Sequence, residues 1–241
     1  MPVSRIEQSL MVSLPAGDQL HIRRLADNPD GPPVLLLHGL LEDGSLFYPA
    51  PDQGLAHYLA RHGFDVYVPD FRGKGRSWPP VARLSTYRVN HAVTQDLPAI
   101  LESIQGVRGR LPVYWFAHAW GGVLASSFLA RYPGYRASIN GLIYFGTHRV
   151  AARAILHRPV WFDGLTGWLR AALARLWWFI PGRLRRRGGS NEFRGIQLDS
   201  FNWLQGQPWI DPSDHFDYGK ALSQGLNYPP ALYFASRRDL G

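Results

Sequence analysis

Residues 113–122 read VYWFAHAWGG, an apolar run that passes directly into small residues. A short, continuous apolar run bounded by turn signals is typical of a strand that is buried on both faces of a sheet. The small residues Ala117, Gly121 and Gly122 follow, and a helix-like segment continues to residue 131. The stretch therefore predicts a buried strand that turns sharply into a helix.

Other apolar runs of the same character lie on both sides of this stretch. They are Val34–Leu37, Val66–Val68, Leu142–Phe145 and Ala231–Phe234. Helix-like segments at about 52–62 and 90–105 separate them, and strands that alternate with helices predict an α/β protein with a mostly parallel sheet. Ahead of these runs, Arg5–Leu14 and Gln19–Leu25 alternate apolar and polar residues, which predicts a β-hairpin.

The composition favours one large globular domain. The chain has 241 residues, 46% of them hydrophobic, which is enough to bury a substantial core. It has no cysteine, which excludes a disulfide framework, a thiol nucleophile and cysteine-ligated zinc. Met1–Leu10 carries charged and polar side chains where a signal peptide needs an apolar run, and no stretch reaches the roughly 18 apolar residues of a membrane span. We therefore expect a cytoplasmic protein.

The net charge of +8 is concentrated in one segment. Residues 149–194 contain ten arginines but only two acidic residues, Asp163 and Glu192, which accounts for the whole excess. Such a segment attracts polyanionic surfaces, and anionic lipid is as good a candidate as nucleic acid. We expect peripheral contact with acidic membranes through this segment.

The same segment belongs to a long interruption of the strand and helix alternation. We predict a helical cap or lid insert at 148–225 and a core formed by 1–147 and 226–241. Within the insert, Leu165–Phe179 has apolar residues at helical spacing. It is either a lid helix packed on the body or an interfacial helix whose tryptophans enter a membrane.

Three strand ends, HGL at 38–40, DFRGKGRS at 70–77 and AHAWGG at 117–122, resemble the α/β-hydrolase superfamily in their order and spacing. More narrowly, they resemble its esterase, monoacylglycerol-lipase and serine-aminopeptidase-like branch. The resemblance covers residues 20–147, with 228–241 as a further strand. It implies an α/β-hydrolase fold and hydrolysis of apolar acyl esters by a serine nucleophile.

The nucleophile of that family lies in a Gly-x-Ser-x-Gly elbow, a tight turn flanked by small residues. In this chain, Ala117 and Gly121 match the two flanking positions, and Ala119 matches the nucleophile. Alanine has no lone pair that could attack a carbonyl. We therefore predict that the chain is inactive or severely impaired as a serine hydrolase, and that Ala119 reflects either natural loss or an engineered substitution.

Only some of the family's other catalytic groups can be matched to residues of this chain. The resemblance implies that the oxyanion is bound by the backbone N–H groups of Leu40 and Trp120, which need no particular side chain. We assign supporting roles around the elbow to His38, Gly39, His118 and Gly122. Asp239 is the candidate triad acid. The triad histidine is expected after an eighth strand, and the sequence ends at Gly241, so we expect a sheet without its last strand.

Three hypotheses for the function remain open at this point. The first is a hydrolase chain that has lost its serine and its C-terminal strand. The second is a non-catalytic protein that binds an acyl or other apolar ligand, or an acidic membrane surface. The third, nucleic-acid binding by the insert, is disfavoured because the aromatic residues follow a helical stripe typical of burial.

The sequence predicts neither a metal nor a cofactor. His57 and His62 are five residues apart, which misses the helical i, i+4 spacing of a zinc site. No glycine-rich phosphate loop follows the first parallel strand, so we expect no nucleotide. Ser126, Ser127 and His148 are expected to be structural.

Overall fold

The computed structural model describes residues 5–81, 85–149, 179–180, 190–224 and 227–235. The predicted helix at 165–178, most of the arginine-rich segment and Asp239 lie outside these ranges. The boundaries of the cap insert therefore remain a prediction. Phe179, predicted to end the helix, lies instead in a short strand, so the sequence pattern was wrong at this residue.

A seven-stranded sheet in the order β1-β2-β4-β3-β5-β6-β9 forms the centre of the molecule. Its strands are β1 (Ile6–Ser13), β2 (Gln19–Ala26), β3 (Pro33–Leu37), β4 (Asp65–Asp70), β5 (Tyr114–His118), β6 (Gly141–Phe145) and β9 (Ala231–Phe234). Strands β3 to β6 and β9 run parallel, and β2 joins β4 antiparallel. The mostly parallel sheet expected from the sequence is confirmed.

The predicted hairpin is also confirmed. Strands β1 and β2 pair antiparallel from Ile6 opposite Ala26 to Ser13 opposite Gln19. The link between them is a 3₁₀ turn, Pro15–Gly17. Because Gly17 has φ 85°, the turn uses a backbone conformation that glycine adopts at little cost.

Helices cover both faces of the sheet. They are α1 (Leu55–Arg61), α2 (Val89–His91), a π-helical segment (Ala92–Asp96), α3 (Leu97–Arg108), α4 (Trp120–Arg131), α5 (Arg194–Leu204) and α6 (Tyr218–Ser223). On one face, buried residues of α3 and α4 such as Ile100 and Phe128 pack against Trp115 of β5. On the other face, α1 packs through Leu59 against Val34 and neighbouring residues.

The described part of the predicted insert packs against the core. Strands β7 (Phe179–Ile180) and β8 (Glu192–Phe193) form a two-stranded antiparallel pair. Trp203 of α5 stacks on Trp120 of α4, with ring centroids 5.9 Å apart. Among the helices that the structure describes, none is both long and apolar enough to cross a bilayer.

Strand β9 forms one edge of the sheet. It pairs with β6 on one side, and its side chains Leu232, Tyr233 and Phe234 are 50% to 61% exposed. In the described residues, this edge of the sheet is therefore apolar and exposed to solvent.

Candidate active site

The elbow is a single residue, Ala119, between the end of β5 and the start of α4. Its backbone has φ 47° and ψ −117°, a conformation that side-chain-bearing residues rarely adopt. The N–H of Ala119 donates to the carbonyl of Phe145 at the end of β6 (2.8 Å). The strand-to-helix turn predicted at this position is present, with the alanine methyl at its apex.

The small residues after the apex permit a close approach of helix and strand. A Cβ atom built on Gly121 would lie 2.6 Å from the carbonyl oxygens of both Leu37 and His38. Such a distance is a steric clash, so only glycine fits here unless the backbone moves. This close packing brings the first turn of α4 against the end of β3.

His38 holds the loop that follows β3. Its ring is buried, its Nε2 accepts a hydrogen bond from the N–H of Phe71 (3.3 Å), and its Nδ1 lies 3.0 Å from the carbonyl oxygen of Gly39. Because Nε2 accepts, Nδ1 carries the proton and donates to Gly39. Burial lowers the pKa of His38, which keeps the ring neutral. The geometry agrees with a supporting role for His38.

An ion pair between Glu42 and His118 lies beside Ala119. The Glu42 carboxylate is 2.8 Å from Nδ1 of His118 and accepts the N–H of Gly39 (2.9 Å). A Cβ atom built on Gly39 would be 2.8 Å from this carboxylate and 3.1 Å from the Ala119 methyl. The Glu42 carboxylate and the Ala119 methyl therefore both lie next to Gly39. No sequence motif indicates Glu42, which is 76 residues away from His118.

The charges of this pair stabilise each other. The hydrogen bond that His118 donates to the Glu42 carboxylate raises the pKa of His118, more than burial lowers it. Burial alone would raise the pKa of Glu42, but the hydrogen bond and charge of His118 and the Gly39 N–H outweigh it, and the pKa is lowered. The pair therefore braces the loop next to the elbow, and its hydrogen bond favours the charged form of both side chains.

A second, buried ion pair clamps this loop to the insert. Nζ of Lys74 lies 2.7 Å from the carboxylate of Glu192 and donates to the carbonyl of Asn191 (2.6 Å). The same Glu192 carboxylate accepts the N–H of Leu41 (3.2 Å), and the Ser190 N–H donates to the Leu41 carbonyl (2.8 Å). Residues 190–192 are thus fastened directly to the loop that carries Leu40.

A small cavity lies between this loop and α4. Leu40 and Trp120, the residues expected to supply the oxyanion N–H groups, both line it, and Glu192 and Ile196 of the insert line it too. The cavity therefore joins the two expected anion-binding positions and is covered by the described part of the insert.

Of the remaining candidate residues, Ser126 and His148 have hydrogen-bond partners, whereas the buried Ser127 hydroxyl has none in the part of the chain that the structure describes. The Ser126 hydroxyl bonds to the hydroxyls of Tyr144 (3.1 Å) and Tyr228 (3.2 Å). Nδ1 of His148 lies 3.1 Å from the carbonyl of Gly146. Ser127 is fully buried in α4. In the described ranges, no group of three or more histidine, aspartate or glutamate side chains is placed to hold a metal ion.

The sheet order and the elbow define the chain as an α/β hydrolase. A sequence comparison makes this narrower, because the model of the family "Serine aminopeptidase, S33" matches residues 30–196, more than half of the chain. The chain belongs to this family.

Individual relatives match shorter stretches. Triacylglycerol lipase 2 of Arabidopsis thaliana is 35% identical over 97 residues, which cover 37% of this chain and 23% of that protein. Epoxide hydrolase A of Mycobacterium tuberculosis is 36% identical over 99 residues, 41% of this chain and 27% of that protein. An epoxide hydrolase structure from Vigna radiata has a TM-score of 0.46 at 24% identity and covers 68% of this chain and 47% of its own. The matches span about a quarter of the length of these two curated relatives.

Proposed function

We propose that this chain is an α/β hydrolase that does not form an acyl-enzyme at its elbow. It is severely impaired or inactive toward the apolar acyl esters that serine hydrolases of its fold cleave. One observation carries the proposal: the residue at the apex of the elbow is Ala119, whose methyl group has no lone pair. The expected oxyanion donors at Leu40 and Trp120 belong to the backbone and do not depend on residue 119.

The expected loss of turnover can be estimated from the behaviour of catalytic triads in general. Loss of a serine nucleophile lowers turnover about a millionfold. An oxyanion hole and substrate binding, without the nucleophile, still accelerate the reaction roughly 10³- to 10⁴-fold over the rate in water.

The substrate class is proposed from the relatives. Their names describe a triacylglycerol lipase and an epoxide hydrolase. We propose an apolar ligand for this chain, an acyl ester in the first instance. The aromatic residues that line the cavity, Phe71, Tyr87 and Trp120, support an apolar ligand.

Steady-state hydrolysis tests the proposal. We expect turnover well below 1 s⁻¹, a modest enzyme value, on p-nitrophenyl acetate, butyrate and octanoate. The matched control is Ala119→Gly, which should hydrolyse these esters at the wild-type rate because neither side chain carries a nucleophile. Turnover above about 1 s⁻¹ by the wild-type protein would refute the proposal.

A second candidate function is non-catalytic binding of an acyl ligand or of an acidic membrane surface. The observation that favours it is the ten arginines in residues 149–194. This hypothesis places the protein in the cytoplasm, in peripheral contact with membranes. Sedimentation with anionic but not with neutral liposomes, weakening as salt rises, is the expected result, and equal binding to both would contradict it.

A further inference from the structure

A serine, a histidine and an aspartate are hydrogen-bonded in series at the other end of the sheet. The Ser9 hydroxyl on β1 lies 3.0 Å from Nε2 of His21 on β2, and Nδ1 of His21 lies 2.9 Å from the carboxylate of Asp70 at the end of β4. Strand β1 is four strand spacings from β5, roughly 19 Å. The Ser9 hydroxyl is therefore separate from the elbow, whereas Asp70 on β4 is two strand spacings from β5.

The protonation of this series is set by Asp70. Its carboxylate accepts the N–H of Gly44 (2.7 Å) and of Arg76 (3.0 Å) in addition to His21. Burial works to raise the pKa of Asp70, but the hydrogen bond from His21 and the other donors outweigh it, and the pKa is lowered. An ionised carboxylate only accepts, so Nδ1 of His21 carries the proton and Nε2 accepts the proton of the Ser9 hydroxyl.

The histidine and the aspartate are fixed, whereas the serine is reachable. His21 and Asp70 are 0% and 1% exposed, and the His21 N–H donates to the Ser77 hydroxyl (2.9 Å). Ser9 is only half-buried. A buried orienting pair behind a partly exposed hydroxyl is the arrangement in which a histidine acts as the base for a serine nucleophile.

A cationic donor and a cleft adjoin the hydroxyl. Nη1 of Arg76 donates to the Ser9 hydroxyl (3.0 Å), in a position to stabilise negative charge that develops next to it. Arg23 lies opposite Ser9 in the hairpin, and Glu7 lies two residues before it on the same face of β1. Both residues line a surface cleft of about 600 Å³ whose wall also includes Tyr48. Ser9 is not part of the cleft wall, but its two neighbours Glu7 and Arg23 are, so the cleft offers space for a small substrate next to them.

We propose that Ser9, His21 and Asp70 form a second nucleophilic site, one that accepts the acyl group of short-chain esters with good leaving groups, such as aryl acetates. A single exposed guanidinium replaces the two fixed N–H groups of an oxyanion hole, so unactivated esters react too slowly. This site does not depend on the function proposed for the elbow.

The proposed step is an ordinary acyl transfer. The Ser9 oxygen bonds to the carbonyl carbon while its proton passes to Nε2 of His21, and Arg76 faces the resulting oxyanion. The bond from carbon to the phenolate then breaks, and His21 returns the proton to the phenolate. Water hydrolyses the acyl-serine by the same proton transfers.

Acetylation by p-nitrophenyl acetate, mapped by peptide mass spectrometry, tests this site. We expect an acetyl group on Ser9 in the wild-type protein and none in Ser9→Ala. The matched control is Ser13→Ala, a change in the same strand at a residue opposite Gln19, which should leave acetylation of Ser9 unchanged. The chain has only two lysines, so background acetylation is limited.

A second variant separates catalysis from structure. Arg76→Gln should slow acetylation of Ser9 about a hundredfold, the lower end of the range for loss of a donor to an oxyanion. Absence of acetyl-Ser9 in folded wild-type protein would overturn the proposal, as would equal rates in Arg76→Gln and wild type. Because the products are read from the peptide that contains Ser9, failure here leaves the proposal for the elbow unaffected. If acetyl-Ser9 forms, ester turnover that bears on the elbow is measured in Ser9→Ala, where this second site is absent.

Discussion

Ala119 has a strained backbone conformation, although its side chain carries no nucleophilic group. Holding a residue other than glycine in a sparsely populated φ, ψ region costs of order 1–3 kcal/mol of folding free energy. Such a backbone conformation persists only where the surrounding structure imposes it. Here the determinants are the Phe145 carbonyl that binds the Ala119 N–H and the close contact of Gly121 with β3. The elbow is thus maintained by its packing.

Removal of the Ala119 methyl should stabilise the protein. Glycine adopts φ 47° without strain, and this relief exceeds the 0.5–1 kcal/mol that glycine costs through backbone entropy. We expect Ala119→Gly to raise the free energy of unfolding by about 1 kcal/mol, or the melting temperature by about 2–4 °C. Calorimetry measures this directly, and a lower melting temperature would show that the methyl contributes more by packing than it costs in strain.

The Glu42–His118 pair predicts a pH dependence of stability. The pKa of His118 is raised above its ordinary 6.5, so its contribution is complete below that pH and is lost as pH rises through the folded-state pKa. The pKa of Glu42 is lowered below its ordinary 4.5, so its contribution is present above that value and is lost as pH falls through the folded-state pKa. The pair should stabilise the protein most between these two values.

Urea unfolding of wild type and Glu42→Gln across the pH range tests this expectation. Both side chains are partly exposed and screened, so we expect a difference of about 1 kcal/mol at most near pH 5.5. The difference should shrink at pH 9 and at pH 2.5. A difference that is constant with pH would mean that the amide of glutamine replaces the ion pair fully.

Contacts at this scale were the least predictable from sequence. The alanine at the elbow could be identified because it lies within a motif of fixed spacing. Glu42 and His118 are far apart in the chain, and neither residue type in its local context indicates the other. Their contact exists only because the parallel strands β3 and β5 are neighbours and end at the same edge.

At the scale of elements, the junction of β5 and α4 is the tightest part of the site. The first turn of α4 contacts the end of β3 through Gly121, and this sets the position of Trp120 beside the cavity. The sequence predicted this junction correctly because the requirement for small residues is local. The predicted helix at 120–131 agrees with α4 at both ends.

Two glycine-to-alanine substitutions in helices should have opposite effects on the free energy of unfolding. Gly121→Ala places a methyl 2.6 Å from two carbonyl oxygens and should destabilise by about 1–3 kcal/mol. Gly106→Ala in α3 meets no atom within 4 Å and should stabilise by up to about 1 kcal/mol through helix propensity. Chemical denaturation of both variants makes the comparison, and equal effects would contradict the close approach at Gly121.

At the scale of the whole molecule, the Lys74–Glu192 pair connects three parts of the chain. Lys74 follows β4, Glu192 lies in the insert, and Leu41 in the loop after β3 donates to the same carboxylate. The two charged side chains are 4% and 3% exposed. Loss of one partner would leave the other charge buried and unpaired.

Neutralisation of Glu192 should therefore be costly. We expect Glu192→Gln to lower the free energy of unfolding by about 3 kcal/mol, and Lys74→Met with Glu192→Leu to recover part of that loss. Limited proteolysis near residues 190–195 should be faster in the single variant. Unchanged stability and unchanged proteolysis would show that the pair does not hold the insert against the loop.

The core and the insert differed in how far the sequence could predict them. The strands of the core follow from short apolar runs such as Val34–Leu37, which have few alternative structures. The contact of the predicted insert with the core includes two buried charged side chains, Lys74 and Glu192, whose residue types usually lie on the surface. Their burial follows from packing between distant segments, which local patterns do not encode.

The central claim, that no acyl-enzyme forms at the elbow, is tested most directly by rapid acid quench during reaction with p-nitrophenyl butyrate. The protein is digested and the peptide covering residues 113–131 is examined by mass spectrometry, in wild type and in Ser9→Ala. We predict no butyryl group on any residue of this peptide in either protein. A butyryl group on this peptide, formed with a burst of p-nitrophenol equal to the amount of protein, would contradict the account.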